Sequence, residues 1–551
     1  MIVLSTLNAR YAHASFGLRY LLANMGELRT VTRLLELETR TPRLEIVEKI
    51  LALSPRVVGF GVYIWNVVET TAVVAELKAL RPDLIIIIGG PEVSYELEGQ
   101  EIVRLADHVV TGEADLAFPA LARDLLAGVK PGKVIEAPLP DLARVALPYD
   151  EYTDEDLAHR VTYVEASRGC PYRCEFCLSS LDVPVRAFAL EPFLGALERL
   201  LARGARRFKF VDRTFNLSPA TSGAILRFFL ERLVPGLHLH FELVPDRFPR
   251  ELRALAALFP EGTVQFEIGV QTFTEEVNRA VSRFQDNERT CENLRFLRDE
   301  THVHVHADLI FGLPGETLET FGASFDRLLP LVPGDVQLGI LKRLRGTPIV
   351  RHETAGTLVF SPVPPYEVLS TSTASFEETT RMKRLARYFE VFRNGDDHPR
   401  ALERLLGHSP FRSFLDFTDW LHTRIGRTNQ LPLVERCELL FDYLVETKGQ
   451  DPKEVASAIV ADFYGDGIRS ERLPFLEEHV DRAALVRRQR ENRARAHGNS
   501  VNRPPGGGDH EGVRRVLVRG PEGVTATEGC HRLTHEREGS DGERNDQVMP
   551  Q

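Results

Sequence analysis

Residues 166–180 read ASRGCPYRCEFCLSS and place three cysteines, Cys170, Cys174 and Cys177, close together. The chain of 551 residues has only six cysteines, so half of them stand in this one segment. A chain of this length is too long for one hydrophobic core. Its few cysteines cannot form a disulfide framework, which predicts a reducing, cytoplasmic environment. A cysteine cluster in such a protein indicates a metal site or a catalytic site.

The composition indicates a folded protein without a membrane segment. Hydrophobic residues make up 43% and charged residues 27% of the chain, which is typical of globular proteins. No run approaches the ~18 apolar residues of a membrane span. The N-terminus lacks the basic and apolar regions of a signal peptide, so we expect a cytoplasmic protein. The formal net charge of −11 argues against broad binding to nucleic acid.

The first 130 residues alternate short apolar runs with helical patterns. The runs MIVLS, VVGFGVYIW, LIIIIGG and HVVTGE are apolar almost throughout, which predicts an α/β domain with a parallel sheet covered on both faces. Ligands of such sheets bind at the carboxyl ends of the strands. Gly89, Gly90 and Gly112 stand at these ends, although each glycine alone also fits an ordinary tight turn.

The rest of the chain divides into four parts by its pattern. Residues 131–157 are rich in proline and predict a linker. A second series of strand-like runs and amphipathic segments over residues 158–365 predicts a partial or full βα barrel, with its chemistry on the loops after the strands. Residues 366–490 predict a helical domain, and residues 491–551, which are poor in aromatics, predict a disordered tail.

The spacing of the three cysteines is Cys-x3-Cys-x2-Cys, with no fourth Cys or His close behind. A structural zinc site needs four such ligands, whereas an iron–sulfur cluster takes thiolates at these short spacings. Three ligands for four irons leave one iron open to another molecule. Cys291 and Cys437 lie on helical patterns, where a packed thiol is the ordinary interpretation.

With an aromatic residue before its last cysteine, this motif resembles the signature loop of radical S-adenosylmethionine (radical SAM) enzymes. The segments HFELVPD, FEIGVQTFTEEVNRAVSR and ADLIFGLPGET resemble the branch of oxygen-independent coproporphyrinogen oxidases and methylthiotransferases, over roughly residues 158–350. The resemblance implies a 4Fe-4S cluster on the three cysteines, with an open iron that chelates SAM. It also implies contacts to the cofactors from Phe176, Glu242, Gln271, Arg283 and Asp308. A carboxylate, an amide and a guanidinium on rigid strand ends suit a zwitterionic sulfonium.

The segment VDRTFN departs from the family, because many members carry Gly-Gly-Glu near this strand. Asp212 or Asn216 would have to take over the contact with the amino group of SAM. For Asp212, a role as a capping or ion-pairing residue is an equally good interpretation.

The N-terminal domain resembles the cobalamin-binding module of B12-dependent radical SAM proteins. GGPEVSY and TGEAD match its fourth and fifth strand ends, and the glycines Gly89, Gly90 and Gly112 would let the backbone approach the nucleotide tail of cobalamin. The Asp-x-His-x-x-Gly motif of other B12 proteins is absent, and His13 lacks the aspartate. We therefore expect cobalamin to bind without a protein histidine, or the domain to be empty. Trp65 would cover the lower face of the corrin or serve only in packing.

The layout of residues 1–490 resembles radical SAM proteins that carry a B12-binding domain and a C-terminal DUF4080 domain. The resemblance implies an enzyme that reductively cleaves SAM, with methylation of an unactivated carbon as a common outcome and an electron donor of the flavodoxin or ferredoxin type. Two alternatives remain. A methylthiotransferase-like enzyme acting on tRNA uses three further N-terminal cysteines, and residues 1–169 contain none. A non-catalytic cobalamin or cluster sensor would not need a SAM site.

Overall fold

A computed structural model describes residues 1–182, 184–332, 334–395, 397–465, 471–480 and 486–487. All of them belong to the first of two compact units, Met1–Gly508. The predicted tail over residues 491–551 lies outside the described residues, and so do the last residues of the predicted helical domain. Within the described part of the chain, no helix combines the length and the apolar character needed to cross a bilayer.

The N-terminal part forms a six-stranded, all-parallel sheet in the order β2-β1-β3-β4-β5-β6. The strands are β1 (Ile2–Asn8), β2 (Thr32–Glu38), β3 (Val57–Gly61), β4 (Ile85–Gly89), β5 (His108–Thr111) and β6 (Val134–Glu136). Every residue of β1 and β3 is buried, as expected for strands that are covered on both faces.

Helices cover both faces of this first sheet, which confirms the predicted α/β domain. One apolar cluster packs α1 (Phe16–Ala23) and α5 (Ala117–Leu126) on one face. A second cluster packs α2 (Arg43–Ala52), α3 (Val67–Leu80) and α4 (Glu101–Leu105) on the other. The carboxyl ends of β3, β4 and β5 therefore open between the two helical layers.

The second sheet is also all-parallel and has the order β14-β13-β12-β11-β10-β7. Its strands are β7 (Thr162–Val164), β10 (Arg207–Phe210), β11 (His238–Leu243), β12 (Val264–Gln271), β13 (His304–Phe311) and β14 (Asp335–Ile340); a short hairpin, β8 (Ser167–Arg168) and β9 (Arg186–Ala187), follows β7. Because consecutive strands are neighbours, the sheet has the topology of a βα barrel that stops at six strands.

The helices of this second series are α6 (Asp154–His159) before β7, then α7 (Leu190–Ala202), α8 (Pro219–Leu230), α9 (Arg250–Ala256), α10 (Glu275–Ala280), α11 (Asn287–Glu300) and α12 (Leu318–Leu328). Except for α10, whose Val277 packs in a smaller cluster, they share one large apolar core with the outward-facing residues of the strands, such as Phe208, Phe241 and Phe266.

The other face of the second sheet is polar. Residues that alternate with the apolar ones carry ionisable or amide side chains: Lys209, His240, Glu242, Glu267, His306, Asp308 and Gln337. Because successive side chains of a strand point to opposite faces, these groups share the concave face. A closed βα barrel usually fills this space with branched apolar residues, so this interior is built to hold a polar ligand.

The outer edge of β7 is covered by the N-terminal domain. His13 forms an isolated parallel bridge with Val161, and Val161 donates a backbone hydrogen bond to the carbonyl of Ala12. The segment NARYAH therefore extends the second sheet by one short pairing, which joins the two sheets into one structure.

The C-terminal part begins with α13 (Val350–Thr354) and the antiparallel pair β15 (Leu358–Phe360) and β16 (Val368–Thr371). The following helices confirm the predicted helical region: α14 (Phe376–Phe392), α15 (Pro399–Leu406), α16 (Pro410–Ile425), α17 (Leu433–Asp442) and α18 (Pro452–Phe463). They join the apolar core that covers the second sheet.

Candidate functional site

The hairpin of β8 and β9 closes the base of the cysteine loop. Arg168 and Arg186 are cross-strand partners, and the backbone N–H of Cys170 donates to the carbonyl of Asp182 at 3.1 Å. Gly169, at φ +92°, makes this closure possible, because a Cβ there would lie 2.6 Å from the Asp182 oxygen. The three cysteines therefore stand on one closed loop directly after the first barrel strand, as predicted.

All three cysteines line one cavity of about 210 Å³ at the carboxyl ends of the strands. Cys170 and Cys174 are buried, and burial raises the pKa of both thiols. The guanidinium of Arg283 counteracts this effect at Cys174, where its Nη1 lies 3.6 Å from Sγ.

Among the described residues, no three His, Cys, Asp or Glu side chains converge closely enough to hold a single metal ion. The sequence spacing Cys-x3-Cys-x2-Cys, with no fourth Cys or His close behind, fits a cluster, in which each cysteine binds a different iron, better than it fits zinc.

Glu175, between the second and third cysteines, anchors the far side of the loop. Its carboxylate accepts hydrogen bonds from Arg351 Nε at 2.6 Å, Arg351 Nη2 at 3.0 Å and Ser282 Oγ at 2.7 Å. The backbone N–H of Ile349 donates to the Glu175 carbonyl at 3.0 Å. The loop is thus fixed by Ile349 and Arg351 at the start of α13 and by Ser282 after α10. No local sequence pattern indicates these contacts.

The same cavity brings together the residues that the resemblance assigned to SAM and cluster contacts, except Asp212. Its lining includes Phe176, Glu242, Gln271, Arg283 and Asp308 beside the three cysteines. They come from the cysteine loop and from the ends of β11, β12 and β13 or the turn after α10. Their roles toward a ligand remain predictions.

Gln271 has an unusual backbone and an unpaired side-chain oxygen. Its φ is +69°, and the register between β12 and β13 shifts between Gly269 and Gln271. A Cβ at Gly269 would lie 2.4 Å from the Gln271 Nε2, so this side chain crosses directly over the glycine. The Oε1 of Gln271 is buried without a hydrogen-bond partner, whereas the Oδ1 of Asp308 lies 3.5 Å from Nε2 of His306. The acceptor of Gln271 is therefore left for a ligand with donors.

Glu242 is paired with Arg213, a residue that the sequence analysis did not single out. Nη1 of Arg213 lies 3.1 Å and 3.2 Å from the two carboxylate oxygens of Glu242. Burial raises the pKa of Glu242, against the opposing charge of the arginine. Arg213 lines the cavity and follows Asp212 in sequence, shortly after the end of β10. A charged residue just after a strand was the signal that could have identified it.

Asp212 does not line the cavity, in contrast to the prediction. Its two oxygens accept from the Ala166 N–H at 2.9 Å and from Ser167 Oγ at 2.6 Å. Burial raises its pKa to about 6. The side-chain amide of Asn216 is likewise hydrogen-bonded to backbone groups of residues 244 and 247. Both side chains hold loops in place, which is the capping interpretation.

The floor of the cavity is a charged group of residues from the polar face. Glu267 accepts from His240 Nε2 at 2.8 Å and lies 3.5 Å from Lys209 Nζ. Burial would raise the pKa of Glu267, but the hydrogen bond from His240 and the charge of Lys209 lower it below its usual range. Glu267 is therefore a carboxylate in the neutral pH range.

A second cavity, of about 200 Å³, opens at the carboxyl ends of β3, β4 and β5. The predicted glycines Gly89, Gly90 and Gly112 line it, and so do Gly59 and Gly61. Gly90 is at φ +113°, where a Cβ would lie 2.5 Å from the Val62 carbonyl oxygen. The floor of this cavity is thus bare backbone, which fits the close approach of a flat or elongated ligand.

Trp65 does not line the second cavity, and it is not a core residue either, since 38% of it is exposed. Its ring stacks on that of Tyr63, with centroids 4.4 Å apart and an interplanar angle of 8°. Tyr63 does line the cavity. Tyr63 is therefore the residue of the stacked pair that faces this cavity.

His13 also stands outside the second cavity. Its Nδ1 lies 2.6 Å from the Tyr163 hydroxyl. Burial, with the nearby charge of Lys209, lowers its pKa to about 4. His13 is therefore a neutral residue of the joint between the two sheets.

Family profiles match three successive parts of the chain. The B12 binding domain matches residues 3–122, the radical SAM superfamily matches residues 164–328, and DUF4080, a protein family of unknown function, matches residues 357–498. The cavity beside the cysteines falls in the radical SAM part, and the second cavity falls mainly in the B12 binding part.

Curated relatives match different shares of the chain. The oxygen-independent coproporphyrinogen III oxidase of Paracoccus denitrificans is 32% identical over 183 residues, which are 31% of this chain and 40% of the relative. An uncharacterized methyltransferase of Pyrococcus horikoshii is 25% identical over 375 residues, covering 63% of this chain and 79% of the relative. The chain thus spans about two fifths of the first of these proteins.

Two solved structures share the fold over a longer stretch. The cobalamin-dependent radical SAM enzyme OxsB, with aqua-cobalamin and SAM bound, aligns over 91% of this chain and 84% of its own, with a TM-score of 0.58 at 13% identity. The radical SAM methyltransferase TsrM from Kitasatospora setae, with cobalamin and a 4Fe-4S cluster bound, aligns over 69% of this chain and 81% of its own, with a TM-score of 0.54 at 19% identity. The chain therefore contains regions that match the radical SAM, B12 binding and DUF4080 family models in the predicted order, and it shares its fold with these two enzymes.

Proposed function

We propose that this protein is a cobalamin-dependent radical SAM enzyme that cleaves SAM reductively and methylates an unactivated carbon of a polar substrate. The observation that carries the proposal is the single cavity that joins three cysteine thiols to the unpaired acceptor of Gln271 and to the carboxylate of Asp308. A thiol cluster without a SAM site would need no such acceptors, which argues against a non-catalytic sensor.

The residues fit a 4Fe-4S cluster held by Cys170, Cys174 and Cys177. When bound and reduced, such a cluster supplies the electron for the cleavage of SAM. The chain's own contribution is to hold the thiols on a loop fixed at both ends and to place Arg283 beside one of them. A guanidinium near a thiolate stabilises its charged form.

The rest of the cavity is suited to orient SAM and to keep its charges paired. The acceptors of Gln271 and Asp308 can receive donors from the amino or ribose groups, and the pair of Arg213 and Glu242 can exchange partners with a zwitterion. A reductant of the flavodoxin or ferredoxin type is part of the proposal.

The polar interior face supports a polar substrate. Lys209, Glu267, His240 and His306 stand below the SAM residues on the same concave face. These groups pair with one another, Glu267 with His240 and Lys209, and an apolar substrate would remove them from water without adding hydrogen bonds, which is costly.

The second cavity fits cobalamin through its glycine floor and its aromatic rim at Tyr63. When bound, cobalamin would supply the methyl group. At Gly89, Gly90 and Gly112 the chain would let the ligand approach its backbone, and it would offer the ring of Tyr63, which Trp65 supports by stacking.

Gln271→Asn tests the SAM site. Asparagine tolerates the left-handed backbone of this position, but its shorter side chain would withdraw the acceptor. Losing one hydrogen bond of about 1–1.5 kcal/mol should weaken SAM binding by roughly tenfold. Calorimetry on cluster-loaded protein measures the affinity for SAM. Gln430→Asn is the matched control, since Gln430 also has a positive φ of 54° and does not line this cavity. Unchanged affinity for SAM in Gln271→Asn would remove Gln271 from the site.

Cobalamin is expected to bind without a nitrogen ligand from the protein. Because His13 is held by Tyr163 outside the cavity, the electron paramagnetic resonance spectrum of bound cob(II)alamin should lack nitrogen superhyperfine splitting. Splitting that disappears in His13→Ala would instead make His13 the axial ligand.

A further inference from the structure

The cysteine loop and the second cavity meet at one cluster of charged side chains. The loop contributes Arg168 and Arg186, the cross-strand partners at its base. The N-terminal domain contributes Glu113 and Asp115, from the TGEAD turn after β5. We call these four residues the joint cluster.

Arg168 is the centre of the joint cluster. Its Nη1 lies 2.7 Å from Glu113 Oε2 and 2.9 Å from Asp115 Oδ2, and its Nη2 lies 3.0 Å from Asp115 Oδ1. Its Nε donates to Glu165 at 2.9 Å. Every nitrogen of the guanidinium thus has a carboxylate partner, and the side chain is only 12% exposed. Geometry of this kind fixes both position and direction.

Glu113 accepts hydrogen bonds from both arginines of the hairpin. Besides Arg168, it accepts hydrogen bonds from Arg186, whose Nη2 also lies 3.2 Å from Asp182. Since Arg168 stands two positions before Cys170 and Asp182 receives the Cys170 N–H, a shift of Glu113 would be passed directly to the base of the cysteine loop.

The joint cluster also forms part of the wall of the second cavity. Glu113, Asp115 and Arg168 line that cavity, and so does Tyr20, whose ring lies 4.6 Å from the Arg168 guanidinium carbon. A molecule in the cavity therefore restricts the same side chains that hold the cysteine loop. Side chains that are already ordered by one ligand cost the second ligand less to order.

We infer that the joint cluster couples the two cofactor sites, so that cobalamin in the second cavity and the iron–sulfur cluster on the cysteine loop each strengthen the binding of the other. The inference rests on the proposed function, since it requires that both groups bind. Arg168 is a positioning residue in this account, because it acts through the loop and not on a reacting atom. By linkage, the coupling must be the same in both directions.

The test is the affinity for hydroxocobalamin of the full-length protein, measured by absorbance titration with and without the reconstituted cluster. In the wild type, the cluster should tighten binding by at least about fivefold, the lower end of typical coupling between sites. In Arg168→Gln, the two affinities should become equal. Arg168→Lys keeps the charge but loses the bidentate contact with Asp115, so partial coupling is expected.

Two further variants keep the test decisive. Glu113→Gln, which removes a negative charge from the N-terminal side, should also reduce the coupling and serves if Arg168→Gln folds poorly. Arg123→Gln is the control, since its exposed pair with Glu27 lies in the same domain and away from the joint cluster. Equal affinities in the wild type, or full coupling in Arg168→Gln, would overturn the inference. A protein that binds no cobalamin or no cluster at all would instead contradict the proposed function.

Discussion

Replacing Cys170, Cys174 or Cys177 singly with alanine should reduce SAM cleavage at least about 100-fold and remove the brown colour of the reconstituted protein. Loss of a partner outside the ligands already costs about 10- to 100-fold in metal affinity or activity, and here a ligand itself is lost. All three thiols line one cavity, and no fourth cysteine among the described residues lines it, so none can substitute.

The fold should survive these substitutions, because the loop is held by its hairpin and by Glu175 independently of the thiols. Iron and acid-labile sulfide analysis, with circular dichroism for the fold, measures both effects. Cys291→Ala and Cys437→Ala are matched controls, since both thiols are buried in the core away from the cavity. A full complement of iron in any of the three variants would contradict the assignment, and loss of iron in a control would indicate a second cluster.

Gly61→Leu should weaken cobalamin binding by roughly 5- to 150-fold, while the cysteine loop still holds its iron. Gly61 ends β3 and lines the second cavity. A Cβ at this position would make ordinary contacts, 3.4 Å from the Tyr63 ring and 3.5 Å from Thr6 Oγ1. The backbone thus accepts a side chain, but the rest of the leucine would occupy space that the ligand needs. Overlap of this kind costs about 1–3 kcal/mol, or roughly 5- to 150-fold in affinity.

Gly132→Leu is the control for this variant. Gly132 lies in the same N-terminal part, is exposed, and has free space around its Cβ apart from one contact at 3.9 Å. Cobalamin retained after gel filtration, measured by absorbance, compares the two. Equal cobalamin content in Gly61→Leu and Gly132→Leu would show that cobalamin does not enter this cavity.

The sequence was informative where function depends on short spacings and strand ends. Patterns of a few neighbouring residues are enough to identify the three cysteines and the glycines at the ends of β4 and β5. Parallel sheets then bring the carboxyl ends of their strands to one edge. Glu242, Gln271, Arg283 and Asp308 could therefore be placed in one cavity from the resemblance alone.

The rest depended on contacts between distant parts of the chain. For Asp212, a contact with SAM and a capping role were equally good interpretations, because no local pattern distinguishes them. In the structure its carboxylate accepts from the N–H of Ala166 and from the hydroxyl of Ser167. The bulge that turns Gln271 over Gly269 and the pairing of Arg213 with Glu242 are equally invisible. Arg168 and Glu113 are 55 positions apart in sequence, so their contact appears only in the folded structure.

The most direct test of the central claim is product analysis with methyl-labelled SAM, using anaerobic, cluster-loaded protein and a strong reductant. The account predicts 5′-deoxyadenosine and methionine in roughly equal amounts, even before a substrate is known, and none above background in Cys174→Ala. A reduced protein with a full cluster that forms no 5′-deoxyadenosine would contradict it.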